Sequence, residues 1–190
     1  MKAVLRQTPN ILSALRLIAA PIAAWLILSG ADFAALCVFV FAGLSDAADG
    51  FLAKKFALTS RFGAWLDPAA DKLLMLASFV TLTWVQHVPL WLTAMVIGRD
   101  IAIVVGVLLA KLLALPLAVK PLLVGKISTV AQVVYIALVL LFMTLHEPPP
   151  AIEWAAARVV ALLTVASLLA YTQVWLGAAL RRAPQGDGTL

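Results

Sequence analysis

The stretch S-D-A-A-D-G-F-L-A-K-K-F-A-L-T-S-R-F-G-A-W-L-D-P-A-A-D, residues 45–71, decides how the rest of this chain is interpreted. It holds four of the nine acidic residues in the chain, at Asp46, Asp49, Asp67 and Asp71, within sequence that is otherwise mostly apolar. The run A-L-C-V-F-V-F-A-G-L, which is typical of a lipid-embedded helix, ends just before the first of them. The acidic residues are therefore expected at the end of a membrane helix.

The spacing within this stretch places small and acidic residues on two helical stripes. The first stripe has positions i, i+3, i+4 and i+7 and consists of Asp46, Asp49, Gly50 and Ala53. The second has positions i, i+4 and i+8 and consists of Gly63, Asp67 and Asp71. Two antiparallel helices joined by a short basic loop would bring the stripes face to face. Their four carboxylates would then line one pocket.

Four neighbouring carboxylates repel one another, so this pocket needs positive charge. Hard divalent cations suit it, because Mg²⁺ and Mn²⁺ prefer carboxylate and water oxygens, and Mg²⁺ usually shares its shell with substrate phosphates. Two such ions about 3.5–4 Å apart can polarise a phosphoryl group and stabilise a leaving oxygen. Glycine and alanine beside the carboxylates let a diphosphate approach the backbone closely. The residues thus predict metal-dependent chemistry on a phosphate ester at a membrane surface.

At these residues the chain resembles the CDP-alcohol phosphatidyltransferase family, whose signature is D-x-x-D-G-x-x-A-R, eight residues, then G-x-x-x-D-x-x-x-D. Every spacing matches, from Asp46 through the eight residues after Lys54 to Asp71. The one departure is Lys54, which stands where the family usually has Arg. Lysine keeps the positive charge but lacks the bidentate fork of a guanidinium.

The resemblance implies a fold, a reaction and roles for the signature residues. It implies a six-helix membrane fold, usually a homodimer, in which a hydroxyl attacks the β-phosphorus of a CDP-linked lipid and CMP leaves. Two Mg²⁺ or Mn²⁺ ions would be held by Asp46, Asp49, Asp67 and Asp71. Asp71 would also be the general base for the acceptor hydroxyl. The CDP-lipid site would be lined by Gly50, Ala53, Gly63 and, on a phosphate, Lys54.

The resemblance extends beyond the signature to G-R-D-I-A-I at residues 98–103 and K-P-L-L-V-G-K-I-S-T-V-A-Q at residues 120–132. These segments resemble the cardiolipin synthases, which use CDP-diacylglycerol and phosphatidylglycerol. The L-D-P-x-A-D-K region, residues 66–72, is equally similar to the phosphatidylglycerophosphate synthases, whose acceptor is glycerol 3-phosphate. The later segment favours the cardiolipin branch, although neither composition nor spacing decides the acceptor.

Basic residues inside the predicted spans need a partner or a wet cavity, because a charge near the bilayer centre costs on the order of 2.5–3.5 kcal/mol. We predict that Arg99 and Lys126 bind a phosphate on the acceptor. The alternative for Arg99 is an ion pair with a neighbouring carboxylate such as Asp100. Lys72 is interpreted as a snorkelling or counter-charge residue.

Two other sets of polar residues have more than one possible interpretation. Asn10, Ser13 and Arg16 form an N-x-x-S-x-x-R stripe that is similar to the N-x-x-T-x-x-R of many family members. This stripe is predicted to border the nucleotide pocket, and helix capping by Asn10 is the alternative. Arg158 is expected to pair with Glu153 or to reach the membrane interface. His87 and His146 are expected on the side opposite the carboxylates, away from the chemistry.

Composition predicts one integral membrane domain over residues 1–190. The mean hydropathy is +1.07 and 64% of the residues are hydrophobic, which is more apolar surface than a soluble domain of this length can bury. The fold class predicted is all-α, with six transmembrane helices and a short basic interfacial segment at residues 1–10. The spans are predicted at about residues 11–28, 33–55, 64–85, 90–110, 121–145 and 154–180.

Loop charges predict the orientation. The basic residues of the predicted cytoplasmic segments are Lys2, Arg6, Lys54, Lys55, Arg61, Lys111, Lys120, Arg181 and Arg182, whereas the opposite turns contain no Lys or Arg. By the positive-inside rule, both termini and the carboxylate pocket face the cytoplasm. A bacterial inner membrane is the expected location. The expected partners are CDP-diacylglycerol, a lipid or polyol-phosphate acceptor and a second copy of the chain, with no nucleic acid.

Two other functions compete with this interpretation. A cation-coupled transporter also places acidic residues within a membrane, but such proteins often have repeated halves with broken helices in matching positions. The sequence shows no repeat, and its acidic residues gather at one face. A catalytically inactive family member is the second alternative, and the exchange at Lys54 is its support.

Overall fold

The computed structural model describes the backbone of residues 2–56, 63–113, 122–146 and 150–181, and the side chains of residues 14–45, 70–113, 122–146 and 151–177. The described residues form six α-helices and no strand, which confirms the predicted all-α class. The helices are α1 (Lys2–Leu28), α2 (Asp32–Phe56), α3 (Gly63–Trp84), α4 (Leu90–Leu112), α5 (Leu123–Leu145) and α6 (Pro150–Arg181). Each predicted span corresponds to one of them.

Three helical segments are long and apolar enough to cross a membrane among the residues described: Leu90–Leu112, Leu123–Leu145 and Ala151–Gly177. Shorter apolar segments occur in α1 and α2, at Ala14–Leu28 and Asp32–Ser45. Large apolar side chains lie on the outer surface, where Trp25 is 66% exposed and Phe41 69%. This arrangement fits an all-α membrane protein, and the number of helices that cross the bilayer stays a prediction.

The apolar core shows how the six helices run relative to one another. It combines side chains from the C-terminal halves of α1, α3 and α5 with side chains from the N-terminal halves of α2, α4 and α6. Representative core residues are Ala23, Phe39, Phe79, Leu92, Ile136 and Val160. Successive helices therefore run in opposite directions. The C-terminus of α2 and the N-terminus of α3 consequently lie at one end of the bundle, which we call the signature end.

Two tight turns at the opposite end fix this arrangement. Between α1 and α2, Gly30 has φ 73°, a left-handed conformation that glycine adopts without steric cost. Between α3 and α4, Gln86 has φ 65°, and the N–H groups of His87 and Val88 both donate to the carbonyl of Leu82, at 2.9 and 3.2 Å. These turns hold each pair of helices antiparallel.

Several predicted features fall at the margins of the helices. Residues 2–10, predicted as a short interfacial segment, are continuous with the first span in α1, and their position at a lipid surface stays a prediction. Arg61 in the predicted basic loop, Lys120 and Arg182 lie outside the described residues.

Candidate active site

The two halves of the signature lie on consecutive helices at the signature end. The first half occupies the last three turns of α2 and consists of Asp46, Asp49, Gly50, Ala53 and Lys54. The second half lies within the first three turns of α3 and consists of Gly63, Asp67 and Asp71. Because both segments are helical, the spacings predicted from the sequence place each set along one side of its helix. Of these residues, only Asp71 lies within the described side chains, and the meeting of the two stripes stays a prediction.

Helix α1 packs against both helices that carry the signature. Its Arg16 is only 3% exposed, so this positive charge is held inside the bundle. Asn10 is the ninth residue of α1, and the alternative that it caps the first helix is therefore wrong. The side chains of Asn10 and Ser13 lie outside the described set, and their place beside a nucleotide stays a prediction.

Asp71 lines a cavity of about 410 Å³ between α3, α4 and α5. The polar residues of its lining are Asp71, Lys72, Asp100, Thr129 and Gln132. Apolar residues of its lining include Met75, Leu76 and Phe79 on α3 and Val96, Ile101 and Val104 on α4. A mostly apolar cavity with a few convergent polar groups has the character of a small-molecule or lipid site.

Asp100 connects α3 and α4 beside this cavity. Its Oδ2 forms an ion pair with the ammonium group of Lys72, and its Oδ1 accepts a hydrogen bond from Arg99 Nη1 at 2.7 Å. The predicted counter-charge role of Lys72 is therefore confirmed, with Asp100 as its partner across the helix interface. The alternative proposed for Arg99, an ion pair with Asp100, is also confirmed.

Arg99 is buried, with 6% of its surface exposed, and its guanidinium has further partners on α5 and α6. Nε and Nη2 donate to the hydroxyl of Ser167 at 3.2 and 2.7 Å, and Nη2 donates to the carbonyl of Gly125 at 3.5 Å. This network satisfies a charge that would be costly inside the membrane. Binding of an acceptor phosphate by Arg99 stays a prediction, and it would require one of these bonds to be exchanged.

Residues 123–132 of the segment that resembles the cardiolipin synthases form the start of α5. Lys126, its predicted phosphate ligand, is exposed at the signature end. Thr129 donates to the carbonyl of Gly125 at 3.1 Å, and Gln132 bonds to Thr164 on α6 at 3.4 Å. The polar residues of this segment thus connect α5 with α6 and contribute to the lining of the cavity.

Glycine permits close helix contacts around this network. A Cβ at Gly125 would lie 3.2 Å from Arg99 Nη2 and 3.2 Å from the hydroxyl oxygen of Tyr171. A Cβ at Gly106 would overlap the indole ring of Trp175. These roles, and that of Ser167, are not evident from the sequence, because a single serine or glycine in an apolar helix has no characteristic spacing.

The residues predicted to lie away from the chemistry are at the opposite end. His87 is in the turn between α3 and α4, and His146 follows the last residue of α5. Arg158 is exposed, as expected for a side chain that reaches the interface. The other possibility, a pair with Glu153, is wrong: within the described side chains no ion pair joins them, because residues five positions apart lie on different sides of a helix.

The described side chains include only part of the predicted metal site. Among them, no group of three or more His, Cys, Asp or Glu lies together, but Asp46, Asp49 and Asp67 are outside that set. Asp71 is partly exposed and lines the cavity, and its carboxylate is the type of ligand that Mg²⁺ and Mn²⁺ prefer. The one carboxylate of the site that is described is therefore a suitable ligand for such an ion, and the complete metal site stays a prediction.

Comparison with known proteins gives a consistent result. A profile of the CDP-alcohol phosphatidyltransferases matches residues 6–179. The chain is 34% identical over 145 residues to a cardiolipin synthase (CMP-forming) of Rattus norvegicus, a match that covers 68% of this chain and 48% of the rat protein. It is 43% identical over 108 residues to a protein of the same name from Streptomyces coelicolor, covering 53% and 50% of the two chains.

A third relative is named for a different acceptor. The chain is 40% identical over 101 residues to a CDP-diacylglycerol–glycerol-3-phosphate 3-phosphatidyltransferase of Pseudomonas fluorescens, covering 50% of this chain and 51% of that protein. The matches thus span about half the length of these curated relatives. Both branches to which the signature was similar are represented among them.

Proposed function

Since this chain belongs to the CDP-alcohol phosphatidyltransferase family, we propose that it transfers a phosphatidyl group from CDP-diacylglycerol to a glycerol-type acceptor and releases CMP. The observation that carries the proposal is the position of the signature. Its two halves lie in helical register at the adjoining ends of α2 and α3, and Asp71 lines a cavity large enough for part of a lipid. Phospholipid biosynthesis is the corresponding process.

The proposed reaction needs a base and room for a diphosphate. The acceptor hydroxyl oxygen forms a bond to the β-phosphorus of CDP-diacylglycerol, and the bond from that phosphorus to the bridging oxygen breaks, so CMP leaves with the bridging oxygen. Asp71 takes the proton of the hydroxyl. Lys54 contacts a phosphate, and Gly50, Ala53 and Gly63 leave space for the cytidine diphosphate.

A divalent ion is part of this proposal. Asp46, Asp49, Asp67 and Asp71 would hold two Mg²⁺ or Mn²⁺ ions, which supply positive charge to the diphosphate and to the departing CMP. Asp46, Asp49 and Asp67 would thereby fix the position of CDP-diacylglycerol relative to Asp71. Without a cation, four carboxylates in one pocket would repel the diphosphate.

Phosphatidylglycerol is the acceptor we propose, so that the product is cardiolipin. Relatives named cardiolipin synthase support this choice, as does the polar segment at the start of α5. Glycerol 3-phosphate is the second candidate, because a relative named for that acceptor is similar over half of the chain. The family match argues against a cation-coupled transporter.

The proposed setting is the cytoplasmic side of a bacterial inner membrane, with a homodimer as the assembly. The distribution of basic residues supports this orientation.

Product analysis tests the acceptor: purified protein in detergent is given CDP-diacylglycerol with labelled phosphatidylglycerol or labelled glycerol 3-phosphate. Label in cardiolipin supports the first acceptor, label in phosphatidylglycerophosphate supports the second, and label in neither contradicts both.

A further inference from the structure

The cavity beside Asp71 adjoins a second cavity along the same two helices. The second has a volume of about 800 Å³, shares Ile97 and Ile101 with the first, and is lined farther along α3 by Val80 and Trp84. From Asp71 to Trp84 is thirteen residues of α3, or about 20 Å at 1.5 Å per residue. Half of the hydrocarbon core of a bilayer is about 15 Å thick. The path is therefore long enough to hold an acyl chain within one leaflet.

The path is mostly apolar, with Thr83, Gln86 and Thr93 as the polar residues of its second cavity, and it opens on the outer surface of the bundle. Leu76 on α3 is 43% exposed, and Ile101 and Val104 on α4 are 57% and 52% exposed. All three line the first cavity. The bilayer and the path are both apolar, so burial of the chain alone gives a lipid little gain when it leaves the bilayer for the path. What the path offers a lipid is a complementary shape and a polar end.

The polar end of the path is lined by one cation, Lys72, between the carboxylates of Asp71 and Asp100. Arg99, Asp100 and Lys72 form one ion-paired group with two cations and one anion. Arg99 is buried, whereas the side chain of Lys72 is 52% exposed and lines the cavity. Because Asp100 also pairs with Arg99, Lys72 can exchange its ion pair with Asp100 for an anionic phosphate next to Asp71.

We infer that this path along α3 and α4 is the binding site for the acceptor phospholipid, with its phosphodiester at Lys72 and one acyl chain between Leu76 and Trp84. The inference rests on the proposed function, and it deepens that function by giving the lipid acceptor a site on named residues of α3 and α4. An anionic phospholipid has both the phosphate that matches Lys72 and the chain that matches the apolar path. Glycerol 3-phosphate has only the phosphate.

Kinetics with a matched pair of variants test this site. Leu76→Trp fills the cavity, whereas Leu73→Trp is the control, because Leu73 is the same residue on the same helix, is 39% exposed and does not line the cavity. With phosphatidylglycerol as acceptor, Leu76→Trp should lower kcat/KM by about tenfold or more, and Leu73→Trp should leave it near the wild-type value. With glycerophosphoglycerol, the deacylated headgroup, both variants should match the wild type.

A binding measurement that does not need turnover separates this site from the reaction. Phosphatidylglycerol with a diazirine on its acyl chain is photolysed with the protein, and labelled peptides are mapped by mass spectrometry. Labels are expected between residues 75 and 84 and between 96 and 105, and unlabelled phosphatidylglycerol should compete where phosphatidylcholine with the same chains does not. If such labels appear while no acceptor reacts, the lipid site stands and the proposed transfer fails.

Three results would overturn the inference. One is equal kcat/KM of Leu76→Trp and Leu73→Trp with phosphatidylglycerol; another is labelling spread over the surfaces of all helices without competition. The third is a contact between copies of the chain at this surface. In a Cys37→Ser background, which removes the lone cysteine of the chain, Val104→Cys would then form disulfide-linked dimers on oxidation.

Discussion

Arg99 on α4 and Ser167 on α6 are joined through one hydroxyl oxygen, which accepts hydrogen bonds from Nε at 3.2 Å and from Nη2 at 2.7 Å. The two residues are 68 positions apart in the sequence, and both are buried. Ser167 thereby holds the guanidinium that pairs with Asp100, which in turn pairs with Lys72 beside Asp71. A side chain on the last helix thus supports the polar wall of the cavity.

Removal of this hydroxyl should destabilise the protein. Ser167→Ala leaves buried guanidinium N–H groups without an acceptor, and we expect a loss of about 1–3 kcal/mol in the free energy of unfolding. Ser29→Ala is the control, because the Ser29 hydroxyl is exposed and donates only to the nearby carbonyl of Leu26. Thermal unfolding in detergent compares the two variants, and an equal effect of both would contradict the structural role of Ser167.

Asp71→Asn should abolish transfer while the protein stays folded and still binds CDP-diacylglycerol. An amide cannot accept the hydroxyl proton as a carboxylate does, and loss of a general base lowers a rate by roughly 10²–10⁴-fold. CMP release reports the rate, and equilibrium binding of labelled CDP-diacylglycerol reports the donor site. CMP release at the wild-type rate would show that Asp71 is not the base.

Lys54→Arg should leave activity similar to the wild type or higher. Arginine is the usual residue of the family signature at this position, and its fork can bind a phosphate through two parallel hydrogen bonds. The initial rate of CMP release at several concentrations of CDP-diacylglycerol measures the effect. A large loss would mean that the pocket is shaped around lysine.

Gly106→Ala should weaken the packing of α4 against α6. The added Cβ would overlap the indole of Trp175, and overpacking of this kind costs about 1–3 kcal/mol. Gly98→Ala is a matched control on the same helix, since nothing lies within 4 Å of a Cβ at that position. Gly98→Ala should be neutral or stabilising, because alanine is favoured over glycine within a helix. Equal melting temperatures for the two variants would contradict this packing.

The six helices could be predicted because long apolar runs are separated by short polar or proline-containing segments, and the predicted bounds agree with the helices to within a few residues at most ends. The helical register of the signature was likewise predictable, because Asp46 to Ala53 and Gly63 to Asp71 repeat at helical spacing. The start of α1 was less evident. Neither Pro9 nor Asn10 ends the helix there, although both are typical of a helix boundary.

The contacts between helices were harder to predict. Lys72 forms its ion pair with Asp100 on α4 and is next to Asp71 in the sequence. The packing of α3 against α4 brings Lys72 and Asp100 together. The bonds of Arg99 to Ser167 and Gly125 depend on how three helices meet, and the spacing of residues within one helix does not contain that information. The polar wall of the cavity is therefore a property of the tertiary structure.

The measurement that tests the central claim most directly is CMP release by the purified protein from CDP-diacylglycerol, with and without phosphatidylglycerol, in Mn²⁺ or Mg²⁺ and after chelation by EDTA. We predict release that requires both the acceptor and the divalent ion. Release that continues in EDTA would contradict the metal-dependent mechanism. No release with phosphatidylglycerol or glycerol 3-phosphate, from protein that still binds CDP-diacylglycerol, would contradict the proposed transfer to a glycerol-type acceptor.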